Sequence, residues 1–271
     1  MQQCGDSEIR GMHGNFCRKK GSRSMTTVIS DIHKELDSLV IEDWLDVEDV
    51  KKKLAPIFSR IMELPTILSD LIDHTLKSPD LLEMCEEDQI RTKLVLYESP
   101  RNGIRLRLHF WKEDIVDLIH SHRFTYCARI LHGGYQHTLY NPGGAFIFDG
   151  LERIPEIEFA EDHELVASNV DLEKIEKVAS FNINAGQIYC QNPSILSSTQ
   201  TSANTVSLFI RGPALHKFAF QWDHEAKTVI WRRGQAMLTN EEKRKVSATP
   251  ESLAKTVNKL KNLSLLDSRD V

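Results

Sequence analysis

The chain has no apolar run approaching the roughly 18 residues that a membrane-crossing helix needs. Its first 24 residues, MQQCGDSEIRGMHGNFCRKKGSRS, are polar, rich in glycine and serine and basic at their end, without the apolar stretch of a secretory signal. There is no CxxC pair. The five cysteines, Cys4, Cys17, Cys85, Cys127 and Cys190, are scattered and odd in number, which speaks against a disulfide scaffold and for a reducing, cytoplasmic home. Nor is there a surplus of positive charge: the formal net charge is -5 at pH 7, so nothing electrostatic points to nucleic acid or an anionic membrane as partner. No GxSxG, HExxH or phosphate-loop sequence occurs, and the glycine pairs in HGG (132–134) and NPGG (141–144) read as turns, because no strand-to-helix frame surrounds them.

What remains is an ordinary globule, 41% hydrophobic and 27% charged, long enough at 271 residues to bury a core without staples. Residues 1–24 read as a disordered leader, or as sequence upstream of a start at Met25. From 25 to 89 the period is helical: Ile32, Leu36 and Leu39 recur at three- and four-residue spacing, as do Leu54, Phe58 and Ile61. Pro65 and Ser78-Pro79 punctuate this segment, the latter as an N-cap followed by a first-turn proline. Such short helices need something to pack on.

After Ile90 the period changes to two. In IRLRLHFW, residues Ile104, Leu106, Leu108 and Phe110 share one face, and Arg105, Arg107, His109 and Trp111 share the other, the pattern of a half-buried strand. Short strand-like runs then recur at 125–131, 135–140, 145–149, 179–183, 187–190, 205–211, 216–222 and 227–232, with turn signals between them. Residues 151–178 are acidic, with one helical piece expected near DLEKIEKV, and a capped amphipathic helix begins at Thr249-Pro250. The predicted architecture is mainly β: an antiparallel barrel over 90–235, preceded by helices over 25–89 and followed by a helical tail over 236–271.

The residues that carry chemistry sit in IHSHRFTYCARILHGGYQHTLY, where His120 and His122 stand two apart. On a strand, positions i and i+2 share a face, so the two imidazoles lie side by side at a separation one metal ion can bridge. The same spacing on a surface loop would hold no metal.

The order Trp111, His120 and His122, Cys127, an apolar strand into Gly133 and later TVSLFIRGPALHKFAF resembles the cupin fold. Within it, the chain is similar to the cysteine dioxygenase family over roughly residues 90 to 232. That resemblance implies a mononuclear iron(II) site of three histidines that brings a small thiol and O2 together to make a sulfinic acid. It places His120 and His122 as the first two ligands. It sets Cys127 at the cysteine that some members crosslink to a tyrosine, and Lys93 about where an arginine binds the substrate carboxylate.

The chain also departs from the family. The loop CQNPSILSSTQTSAN, where the third ligand belongs, has no histidine, and Ser197 or Ser198 occupies the place. Arg211 stands at the crosslink tyrosine and Phe209 at the histidine that supports it, so Cys127 becomes a barrel-lining cysteine beside Trp111 in the cavity wall. Five other histidines are open as a replacement ligand: His109, His132, His137, His163 and His216. Arg211 has two open placements. Facing the cavity it would clamp an anion beside the metal; slipped by one residue it would face solvent. The expected function is a cysteine-dioxygenase-like, non-haem iron oxygenase, with Fe(II) on His120 and His122. Lys93 and Arg211 would bind a small anionic, thiol-bearing substrate, with O2 as the second reactant and neither nucleic acid nor membrane as partner. The competing class is a barrel that has lost its metal and binds a small ligand or a protein without transforming it.

Overall fold

The computed structural model describes residues 25–141, 175–223, 226, 228–234 and 237–267. Four helices come first: α1 (Met25–Ser38), α2 (Val47–Ile61), α3 (Pro65–Lys77) and the single turn α4 (Pro79–Glu83). The carboxylate of Asp46 caps α2 by accepting the backbone N–H groups of Glu48 and Asp49 at 3.1 and 3.2 Å. One side of α2 (Val50, Leu54, Ile57, Phe58 and Ile61) is buried. Proline takes a first-turn position in both α3 and α4, as the sequence predicts; Ser78 precedes α4 without a side-chain capping bond.

The strands form two antiparallel sheets. The first runs β1 (Glu86–Glu87), β2 (Arg91–Glu98), β3 (Arg105–Trp111), β11 (Val206–Arg211), β6 (Tyr126–His132) and β9 (Ile188–Gln191). The second runs β13 (Thr228–Arg233), β12 (Phe218–Asp223), β5 (Ile119–His120), β10 (Leu196–Thr201), β7 (Gly134–Asn141) and β8 (Glu176–Asn184), with β4 (Ile115–Val116) paired to β10. Helices α5 (Asn240–Val246) and α6 (Pro250–Asn262) close the chain. Thr249 and Ser252 cap α6 reciprocally. This is the mainly β, antiparallel architecture with helices at both ends that the periodicities predict.

The core lies on the outer face of the first sheet. Leu94, Leu96, Leu106, Leu108, Phe110, Val206, Leu208 and Ile210 join one buried cluster with the inward residues of α1, α2, α3 and α6. The inner face points at the second sheet and carries Arg105, Arg107, His109 and Trp111. The strand expected to be half buried is therefore buried on both faces, because the polar face lines the barrel instead of meeting solvent.

Several expectations are corrected. The stretch 190–204 is not a loop at its centre: residues 196–201 form β10, an interior strand of the second sheet. The last three residues of DLEKIEKV belong to β8 and not to a helix; residues 171–174, the leader 1–24, the strand expected at 145–149 and His163 lie outside the described residues. Strand β2, absent from the sequence reading, pairs with β3 along its length. Cys127 and Cys190 face each other directly across β6 and β9 and form a disulfide, so the argument from scattered cysteines does not hold for this pair. Cys127 belongs to the outer core cluster; it is not a cavity residue. Between β6 and β7 the turn needs glycine at 133, whose φ is +70° and where a Cβ would collide with Thr205. No helix among the described residues is long and apolar enough to cross a membrane.

Candidate functional site

A cavity of about 460 Å³ opens between the two sheets, lined by His109, Trp111, His120, His122, His137 and Ser197 together with Arg91, Lys93 and Arg107. His120 ends β5, which is wedged between β10 and β12: its register partners are Ser197 on one side and Gln221 on the other. The next residue locks the turn. Ser121 donates its N–H to the Phe220 carbonyl at 2.8 Å and accepts the Phe220 N–H on its hydroxyl at 2.9 Å, which delivers His122 to the same cavity. The two rings stand 4.9 Å apart between centroids, inclined at 75°.

Chemically the two rings differ. His120 Nδ1 lies 2.8 Å from the Leu118 carbonyl, which only accepts, so Nδ1 carries the proton and the Nε2 lone pair is free. His122 packs edge-on against Tyr126 at 4.5 Å, and burial, reinforced by the neighbouring His120 and His137, holds it well below the ordinary histidine value.

The structure adds His137, one of the five histidines left open by the sequence. It enters from β7 opposite Thr199 and sits 3.0 Å from Gln191 Oε1, whose amide nitrogen donates to Ser197 Oγ and the Ile195 carbonyl, both at 3.1 Å. His137 Nε2 therefore carries the proton. Its Nδ1 is buried with no hydrogen-bond partner among the described residues, and burial lowers its pKa to about 4. His109 also lines the cavity, stacked on Phe209 at 4.7 Å, with its Nε2 likewise buried and unpartnered among the described residues. His132 is exposed at the end of β6, and His216 lies in the segment before β12.

Ser197 stands beside His120 as its cross-strand neighbour and reaches the cavity wall. Ser198 points the other way and bonds the Tyr140 hydroxyl at 3.1 Å. Among the described residues, no group of three or more His, Cys, Asp or Glu is arranged to hold a metal ion. The three-histidine face that the resemblance implies is not assembled among the described residues; what the structure brings together is the pair His120 and His122.

Lys93 reaches the cavity wall from β2 with its ammonium 2.5 Å from Glu86, a carboxylate it shares with Arg107 at 3.8 Å. Burial brings Lys93 down to about 8 and Arg107 to about 10, while those two cations hold Glu86 far below the usual carboxylate range against the opposing effect of burial. Trp111 faces the cavity, donating to the Tyr135 hydroxyl at 3.1 Å, with the Arg91 guanidinium 5.2 Å over its ring. Arg211 is brought to the inner face, as one of its two placements required, but at the far end of β11 and away from the histidines. It donates to the carbonyls of Gly103 and Gly212 at 3.0 and 2.9 Å and pairs with Glu98 at 3.7 Å. Arg211 and Lys93 therefore do not converge on one point beside the histidine pair.

No protein-family model matches the chain, and no curated protein matches it. Among solved structures it is similar to KdgF from a Halomonas species, at 8% identity over 48% of this chain and 86% of that one, with a TM-score of 0.30. It is similar to an RmlC-like cupin from Shewanella frigidimarina, at 9% identity over 48% and 83%, TM-score 0.30. A deletion mutant of oxalate decarboxylase from Bacillus subtilis aligns at 11% identity over 51% and 29%, TM-score 0.33.

Proposed function

We propose that the chain is a non-haem iron oxygenase of the cysteine dioxygenase kind, acting with O2 on a small anionic, thiol-bearing molecule in the histidine cavity. The observation that carries this reading is the pair itself. Two imidazoles, one with its Nε2 freed by the Leu118 carbonyl, face a walled cavity instead of solvent. Iron(II), held by His120 and His122, would supply the redox chemistry that joins O2 to sulfur. The chain's own share is positioning. Arg91 and Lys93 give the wall positive charge for the substrate's carboxylate, and Trp111, Tyr126 and Phe209 exclude water from the sulfur end.

A second reading is a barrel that binds a small ligand without transforming it, since Ser197 stands where the resemblance implies a third histidine. One measurement separates the two: anaerobic reconstitution with Fe(II), desalting, and iron per chain, with His122→Ala beside it. Near-stoichiometric iron that disappears in the variant, followed by O2 uptake with small thiols, is expected. Iron no higher in the native chain than in His122→Ala would sink the oxygenase and leave the binding barrel.

A further inference from the structure

Beside the histidine cavity lies a second hollow of about 740 Å³, which shares the Lys93 and Arg107 wall with it. Its floor is the far end of the same inner sheet face. Arg105 and Arg211 are direct cross-strand partners on β3 and β11, and Arg107 is two residues along β3. Arg123, from the segment just after the histidine pair, leans in over Gly234, where any Cβ would collide with its guanidinium. Of the side chains that the proposed oxygenase assigns to its substrate, only Lys93, on the shared wall, also lines this hollow.

Its charges do not balance. Arg105 and Arg211 both pair with the single carboxylate of Glu98. Lys93 and Arg107 both pair with the single carboxylate of Glu86. Arg123 pairs with no carboxylate among the described residues. Among the described residues these five cations meet the two carboxylates of Glu86 and Glu98, and Arg232 lines the hollow as a sixth cation. The other acids at the rim are engaged elsewhere, Glu87 with Lys112 and Asp88 with Arg91. A network built only for stability would match its buried charges, because an uncompensated one is costly. Burial, then repulsion from Arg105 and Arg107, brings Arg211 down to about 9 against the opposing effect of Glu98. The guanidinium of Arg211 is also held in place by two backbone carbonyls, so little ordering is left for a ligand to impose.

We propose that this hollow binds a compact, doubly charged oxyanion, a phosphoryl group or a paired carboxylate, through Arg105, Arg123 and Arg211, at a site separate from the histidine pair. Guanidinium forks suit both chemistries because each offers two oxygens in a plane. The test is calorimetric titration of the full chain with inorganic phosphate and with malonate, at constant ionic strength set by chloride. Binding of either anion is expected, weakened about tenfold or more in Arg123→Gln and unchanged in His122→Ala. Phosphate alone or malonate alone would say which oxyanion the hollow takes. If Arg123→Gln does not fold, Arg123→Lys, which keeps the charge and loses the fork, carries the same comparison. Absence of binding by both anions in the native chain overturns the proposal. So does binding that His122→Ala abolishes and Arg123→Gln leaves intact, which would move the anion to the histidine cavity. Because His122→Ala is also the iron variant, loss of iron with retained anion binding separates a failure of the oxygenase reading from a failure of this one.

Discussion

Strand β3 has two faces that are equally hidden from water and are hidden by different things. On the outer face Leu106, Leu108 and Phe110 are fully buried against helices, and burial is its own reward because each apolar side chain leaves water at no polar cost. On the inner face Arg105, His109 and Trp111 are also under one-tenth exposed, yet each brings polar atoms that need partners. Where partners exist, as between Trp111 and Tyr135, the inner face behaves like a core. Where they run short, as at His109 Nε2 and His137 Nδ1, a buried polar atom is left without a hydrogen-bond partner among the described residues, and both residues line the histidine cavity. The difference teaches that burial alone does not distinguish structural residues from functional ones; unmet hydrogen-bonding and charge do.

That comparison can be broken in order of size. Phe110→Ala on the outer face should cost about 3–5 kcal/mol in urea unfolding, whereas His109→Ala, one residue away on the inner face, should stay within about 1 kcal/mol, since it removes an imidazole whose Nε2 is already unpartnered. Equal losses from the two would mean that the inner face is ordinary core. Next, Glu86→Gln strips Lys93 and Arg107 of their shared carboxylate and should cost about 3 kcal/mol at neutral pH. Glu86 is held below the ordinary value of 4.5, so its contribution is present above that pH and fades as pH falls beneath it. The stability of Glu86→Gln should therefore converge on that of the native chain in acid, and a constant gap across pH would rule out the electrostatic account.

The smallest effect concerns His137. Its folded pKa of about 4 lies below the ordinary 6.5, so between those values the unfolded chain binds more protons. Stability should therefore fall as pH drops from about 6.5 to 4, and His137→Gln should flatten that decline by about 1 kcal/mol or more over the window. An unaltered slope in the variant would show that His137 does not enter the fold neutral.

Much of this was legible in the residues. The alternation of 104–111 assigned each side chain of β3 to its proper face, and the His-x-His spacing brought His120 and His122 to one cavity although β5 ends at His120 and Ser121 makes the turn. Lys93 and Trp111 also reach that cavity. Cys127 was assigned to the wrong side because its family position was followed in place of its parity: Tyr126 and Ala128 flank it on the inner face, so an intervening residue must point outward. Strand β10 was read as a loop because SSTQT is polar, and a polar strand is what an inner wall requires.

The sequence by itself determined everything set by near neighbours: the capped helices, the period-two strands, which residues share a face and the adjacency of the histidine pair. These follow from backbone periods of 3.6 and 2 and need no knowledge of the rest of the chain. Only the tertiary structure decided which face of each strand is the inside, that Cys127 meets Cys190, that His137 joins the pair while Ser197 takes the remaining wall, and that Arg211 ends in a different hollow with Arg105 and Arg123. Each of those outcomes depends on how two sheets close over one another, and the partners involved are separated by tens of residues whose meeting no local pattern encodes.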